Sequence, residues 1–188
     1  FYNRVDSGVA LINFFGHSTG TIGFDVNIDD PDEYENYNKY FFLIANGCYS
    51  GNIHYYTDVT SEDFVLAQGK GAIGYISSSS LGITERLNEF TIEFLKNVTY
   101  KKYGKSVGEM LKNSFQVLYN NSSNDYTKSN IQQTTYHGDP YLKFPTAEKP
   151  DYTIRSKDIF FNPEKLTSDI GNFEIKMIVS NIGMVLID

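Results

Sequence analysis

The sequence predicts an α/β fold, a mostly parallel sheet flanked by helices, followed by the start of a β-sandwich. Three observations carry this reading. Apolar runs at residues 9–15, 40–45 and 71–77 are short and end in small residues, as strands buried on both faces do. The intervals between them are long enough for the crossovers that parallel neighbours need, since a hairpin cannot join parallel strands. Beyond Pro145 the pattern changes to alternation without helical spacing, at residues 152–155, 159–161 and 173–179.

Taken in order, residues 1–8 carry no assignable pattern, and the first strand, 9–15, ends at Gly16-His17. Residues 21–28 (TIGFDVNI) alternate loosely and are expected to be a short extended piece. The acidic, turn-forming stretch 29–35 (DDPDEYE) is read as a solvated loop, because the ligand spacing of a calcium loop is missing. The second strand runs into small residues around Cys48, after which the polar and aromatic residues 49–58 suit a loop over a cleft. Residues 61–68 read as a short helix, with Ser61 as its cap and Glu62 and Asp63 in the first turn. The third strand stops at the serines 77–80. Leu87, Phe90, Phe94, Leu95 and Val98 form a helical stripe over 85–98. Ser106 with Glu109 makes a capping box that opens a second helix, to about Tyr119. The Asn/Ser-rich residues 120–130 are expected to be a loop, His137-Gly-Asp-Pro140 a turn, and 141–144 an edge strand. With a linker around 146–150, the domains are 1–147 and 148–188.

Composition excludes several function classes. Sixteen Lys and Arg against 23 Asp and Glu give a net charge of -7 and a pI near 4.9, so no basic stripe is available to replace phosphate counterions, and no nucleic-acid partner is expected. No apolar run approaches the ~20 residues of a membrane span. Fifteen Tyr and 14 Phe without Trp make the chain rich in aromatic rings. It begins at Phe1 and its last residues are apolar, so it is read as a piece of a longer protein. The single cysteine rules out an internal disulfide.

Chemistry concentrates at two strand ends. His17 and Cys48 stand about thirty residues apart, each closing an apolar run. If those strands are neighbours, thiol and imidazole emerge side by side at the carboxyl edge, where open α/β sheets place their crevices. A free thiol is only a few per cent ionised at neutral pH, and a nearby imidazole takes its proton and later returns it to a leaving amine. Backbone N–H groups at the turns after both residues suit an oxyanion. The bland reading of the same residues is a small buried cysteine and a polar strand end. A second chemistry starts from Gly16-His17-Ser18-Thr19-Gly20, which matches G-x-S-x-G and makes Ser18 a serine nucleophile. An elbow of that kind runs directly into a helix, which residues 21–30 do not favour. Metal binding is a third, with His17, Cys48, His54 and His137 as potential ligands, but no pair has zinc-ligand spacing, and neither a metal nor a cofactor is expected. His54, Ser78 and Ser79 are candidates for the substrate cleft.

The order of these elements resembles the gingipain-type cysteine peptidases, a family with a caspase-like fold. The matching features span about residues 9–145: the strand ending in Gly16-His17, the strand ending in Cys48, GAIGYISSSS, two amphipathic helices and His137-Gly-Asp-Pro140. The tail from Pro150, with PDYTI, FFNP and VSNIG, resembles the start of an immunoglobulin-like module. The resemblance implies Cys48 as nucleophile, His17 as general base and acid, and the N–H groups of Ser18 and Cys48 as oxyanion donors. It also implies a protein or peptide substrate and a place outside the cell or at its surface. The family includes sortases of type IX secretion, which implies outer-membrane secretion components as partners. An acidic residue orienting the histidine is expected upstream of residue 1. The family usually carries Gly where this chain has Ser18, which sets a Cβ and a hydroxyl near the oxyanion position. The readings are then a cysteine endopeptidase, a catalytically silent scaffold or binding module, and, third, a serine hydrolase using Ser18.

Overall fold

A computed structural model of the chain describes residues 1–20, 23–26, 28, 30–147 and 149–183. These fall into two units, 1–144 and 145–188.

The first unit is built on a four-stranded sheet, in the order β1 (Leu11–Phe15), β4 (Phe41–Asn46), β5 (Ala72–Ser78), β6 (Thr134–Gly138). The first three strands are parallel and β6 is antiparallel to β5. A small hairpin of β2 (Ser18–Thr19) and β3 (Gly23–Phe24) follows β1. Of the four strands of this sheet only β4 is buried at every residue; β1 is an edge strand of the described sheet and half exposed, contrary to the expectation of burial on both faces. Alternation along β4 feeds two cores. Phe41, Leu43 and Ala45 pack with Val5 of α1 (Tyr2–Ser7), Phe64 of α2 (Thr60–Leu66), Tyr34 and Tyr75. Phe42 and Ile44 face Phe90 and Phe94 of α3 (Thr84–Lys96) and Val107, Met110 and Leu111 of α4 (Val107–Asn121). A sheet covered on both faces by helices is thereby held in register through one central strand.

The capping box stands as the sequence indicates. Ser106 Oγ accepts the Glu109 N–H and the Glu109 carboxylate accepts the Ser106 N–H, each at 3.3 Å; the Ser106 N–H first, and its hydroxyl, both donating to that carboxylate, hold the Glu109 carboxyl below its usual pKa. Residues 2–7, which carry no assignable pattern in the sequence, form α1. Four expectations are corrected. The N-cap position of α2 is taken by Val59, and Ser61 lies buried inside the first turn. Within the stretch expected to be a loop, α4 runs on to Asn121 and α5 (Asp125–Gln133) begins, capped by Asn124, whose side chain accepts the Tyr126 N–H at 2.9 Å. His137 lies in a strand, because residues 134–138 complete the sheet along β5. Residues 141–144 form no strand beyond a single bridge, Ser106 to Lys143. Of the extended piece expected at 21–28, Gly23–Phe24 is β3, whereas Thr21, Ile22 and Asn27 lie outside the described residues.

In the second unit, β7 (Tyr152–Thr153) pairs with β10 (Ser180–Asn181) and β8 (Ile159–Asn162) with β9 (Glu174–Met177), all antiparallel. Every residue of β8 and β9 is exposed, so the described residues form two ribbons without the buried core of a sandwich. No helix among the described residues is long and apolar enough to cross a membrane.

Candidate active site

Register brings the two strand ends together. Phe15 pairs with Asn46, and the Gly16 N–H extends the ladder by donating to the Asn46 carbonyl at 3.1 Å. His17 and Cys48, each two residues beyond that pair, leave adjacent strands at the carboxyl edge of the sheet. His17 is exposed and Cys48 half-buried. The Asp25 N–H holds the His17 carbonyl at 3.0 Å. That bond makes Ser18 and Phe24 a non-hydrogen-bonded pair, which leaves the Ser18 N–H outside the β2–β3 ladder. The Cys48 N–H has no hydrogen-bond partner among the described residues.

The Ser18 side chain is engaged within the protein. The residue is 8% exposed, and its hydroxyl donates to the Cys48 carbonyl at 2.9 Å. The Cβ and hydroxyl are turned into the protein, where they touch Gly47: a Cβ on Gly47 would lie 2.0 Å from Ser18 Oγ. As a serine nucleophile Ser18 is badly placed, since it enters a strand and not a helix. His137, the late histidine that a serine triad would require, lies on the far edge strand with β4 and β5 between.

The turn carrying Cys48 is braced by the end of β5. The Tyr49 N–H donates to the Ser80 carbonyl at 3.0 Å and the Gly51 N–H to the Ser78 carbonyl at 3.1 Å. Tyr49 takes a φ of 60°, a left-handed conformation that costs a residue with a Cβ about 1–2 kcal/mol. The surrounding bonds maintain it. Opposite, the Gly82 N–H donates to Cys48 Sγ at 3.3 Å, an interaction that strengthens when the sulfur is a thiolate.

The serine run serves this brace. Ser78 is 1% exposed, and its hydroxyl donates to the Ser80 carbonyl and accepts the Ser80 N–H. The Ser79 N–H is committed to the Gln133 carbonyl at 2.8 Å. The Ser78 hydroxyl and the Ser79 N–H are thus engaged within the protein. His54 is exposed in the turn after Cys48. His137 stands edge-on to Tyr75, with Nε2 3.2 Å from Thr135 Oγ1. Burial lowers its pKa; Glu62 works against that shift and His54 adds to it.

The acidic stretch lines a recess of about 650 Å³, with Asp30, Asp32, Asp58, Glu62 and Asp63 on its wall. Burial and then the neighbouring carboxylates, Asp58 first, raise the Asp63 pKa. Asp29 lies outside the described residues. Among the described residues, no three His, Cys, Asp or Glu side chains come together as metal ligands.

Gly47, Gly82 and the polar group around Asn46 were not singled out from the sequence. Gly47 adjoins Cys48 in the chain, a signal available beforehand; Gly82 meets the sulfur only through the fold.

A mostly parallel sheet flanked by helices, with a thiol and an imidazole at neighbouring strand ends, defines the caspase-like class. The chain belongs to peptidase family C25, the gingipain family of cysteine peptidases, whose model matches residues 1–145. Its fold is similar to that of the Arg specific cysteine proteinase gingipain R. That crystal structure superposes with a TM-score of 0.66 at 19% identity, over 85% of this chain and 40% of that one. A complex of the Porphyromonas gingivalis RgpB pro- and mature domains gives 0.65 at 19% identity, over 83% and 40%. A further structure, described as a protease, gives 0.66 at 14% identity, over 85% and 42%. The chain thus spans about two fifths of the length of these structures. No curated protein matches it significantly in sequence.

Proposed function

We propose that this chain carries the nucleophile and the general base of a cysteine endopeptidase. The observation that supports it most is the register of β1 against β4, which pairs Phe15 with Asn46 and so ends the two neighbouring strands level, two residues before His17 and two before Cys48. His17 takes the proton of the Cys48 thiol, and the thiolate attacks the carbonyl carbon of a peptide bond in a protein substrate. Negative charge moves to the carbonyl oxygen, where the N–H groups of Ser18 and Cys48 receive it. As the C–N bond breaks, His17 returns the proton to the leaving amine, and a thioester remains on Cys48. Water, activated by His17, hydrolyses the thioester and regenerates the thiol. In a sortase an amine takes the place of that water, with cargo at the cell surface as substrate. The burial of the Ser18 side chain supports the oxyanion role of its backbone, because the hydroxyl occupies the Cys48 carbonyl and not the space in front of the N–H.

Substitution in the full-length protein tests the assignment, with peptide cleavage as the readout. Cys48→Ala abolishes turnover, whereas Ser18→Ala keeps it. Cleavage that survives Cys48→Ala refutes the proposal. Correctly folded full-length protein that cleaves no peptide in a broad library leaves the scaffold reading.

A further inference from the structure

Beneath the two strand ends, polar side chains replace the apolar packing of the α3 face. Phe42 and Ile44 point from β4 into the core against α3, and the next residue on that face is Asn46, only 3% exposed. Its amide nitrogen donates to Asn13 Oδ1 on β1 at 2.8 Å, and its amide oxygen accepts from the hydroxyl of Thr91, a buried residue of α3, at 3.0 Å. Its backbone carbonyl accepts the Gly16 N–H. One residue therefore ties the histidine strand, the cysteine strand and the covering helix together, two residues before Cys48 and in register with the residue two before His17. An apolar side chain of similar size would fill the space, but could not fix β1 laterally against β4 where β1 is an exposed edge strand. A hydrogen-bonded amide is directional and costly to break once buried.

Resting on the dyad reading above, we propose that Asn46, held by Asn13 and Thr91, is a positioning residue that sets the His17 imidazole against the Cys48 sulfur. It touches neither substrate nor the reacting atoms. Its effect is on the alignment of proton donor and acceptor, to which rates are steep.

The test compares an isosteric loss with its conservative rescue. Thr91→Val removes the hydroxyl at constant shape, and Thr91→Ser restores it; Asn13→Ala removes the acceptor on β1, and Asn13→Asp retains it. Each is made in the full-length protein, and the alkylation rate of Cys48 by a small haloacetamide at neutral pH is read with and without His17→Ala. Thr91→Val and Asn13→Ala are expected to slow alkylation about tenfold, to lower kcat more than they raise KM, and to be rescued by Ser and Asp. In the His17→Ala background the same substitutions change the rate by less than about twofold, since the coupling acts through the imidazole. Equal slowing with and without His17 shows a general structural role and overturns the inference, as does an unchanged rate in folded Thr91→Val and Asn13→Ala. If His17→Ala alone leaves alkylation unaltered, the dyad fails first and the positioning role with it.

Discussion

Gly47→Ala perturbs the contact between the two strand ends most directly. An added Cβ would stand 2.0 Å from Ser18 Oγ, 2.9 Å from Ser18 Cβ and 3.3 Å from the Gly16 carbonyl oxygen. The first two distances are far inside van der Waals contact, and the Ser18 side chain is buried and bonded to the Cys48 carbonyl, so it has no open space to swing into. Overpacking of this kind costs about 1–3 kcal/mol, and the Ser18 hydrogen bond adds about 1 kcal/mol when it breaks. Gly47→Ala alone is then worth about 2–4 kcal/mol. Ser18→Gly removes both clashing atoms and leaves only the Gly16 oxygen to give by a few tenths of an ångström. In that background Gly47→Ala costs about 1 kcal/mol or less, a coupling of about 2 kcal/mol between the sites. Urea unfolding of the four proteins measures it, followed by far-UV circular dichroism because the chain has no Trp. Gly47→Ala also slows Cys48 alkylation, and Ser18→Gly restores the rate. A cost for Gly47→Ala that is the same in both backgrounds refutes the account of this contact.

Two further predictions concern the scaffold. Phe42 is 1% exposed, with the rings of Phe94, Tyr136 and Phe144 centred 5.0 to 6.0 Å away, so Phe42→Ala costs about 3–5 kcal/mol, measured as a fall in the urea midpoint at constant slope. His137 has a folded-state pKa lowered by burial from 6.5. Below that value the unfolded chain binds the proton more readily than the folded one, so stability is full above about pH 6.5 and declines as pH falls through the folded pKa. His137→Gln flattens that part of the pH–stability curve, and an unchanged curve contradicts the assignment.

The parts of the fold legible in the sequence are those where one local signal dominates. Apolar runs that stop at Gly16 and around Cys48 marked two strand ends, and the intervals between runs left room for the crossovers of parallel pairing. The apolar stripe of α3 and the Ser106–Glu109 box marked two helices. Elements fixed by their neighbours were not legible. Residues 134–138 (TTYHG) have no hydrophobic alternation of their own and become a strand by pairing with β5. Residues 125–133 are polar, and α5 is held through side chains: Arg86 donates to Thr127 Oγ1 at 3.1 Å, and Asn130 donates to the Arg86 carbonyl. At the site, residue type suggested His17 and Cys48. The junction of Asn13, Asn46 and Thr91 draws on three elements between 33 and 78 residues apart in the chain, as their numbers show, and no local pattern announces it. The direction of the Ser18 side chain was not legible for a related reason. Its motif was local, while the direction of its hydroxyl was decided by the carbonyl of Cys48, which only the fold brings near.

The central claim is that Cys48 is the nucleophile and His17 its base. Its most direct test exposes the full-length protein to peptidyl electrophiles at neutral pH and follows the adduct by mass spectrometry. The account predicts modification at Cys48 much faster than of an ordinary free thiol, dependent on the peptide, and sharply slowed by His17→Ala. Labelling of Cys48 no faster than a small-molecule thiol, whatever the peptide and with or without His17, would contradict it.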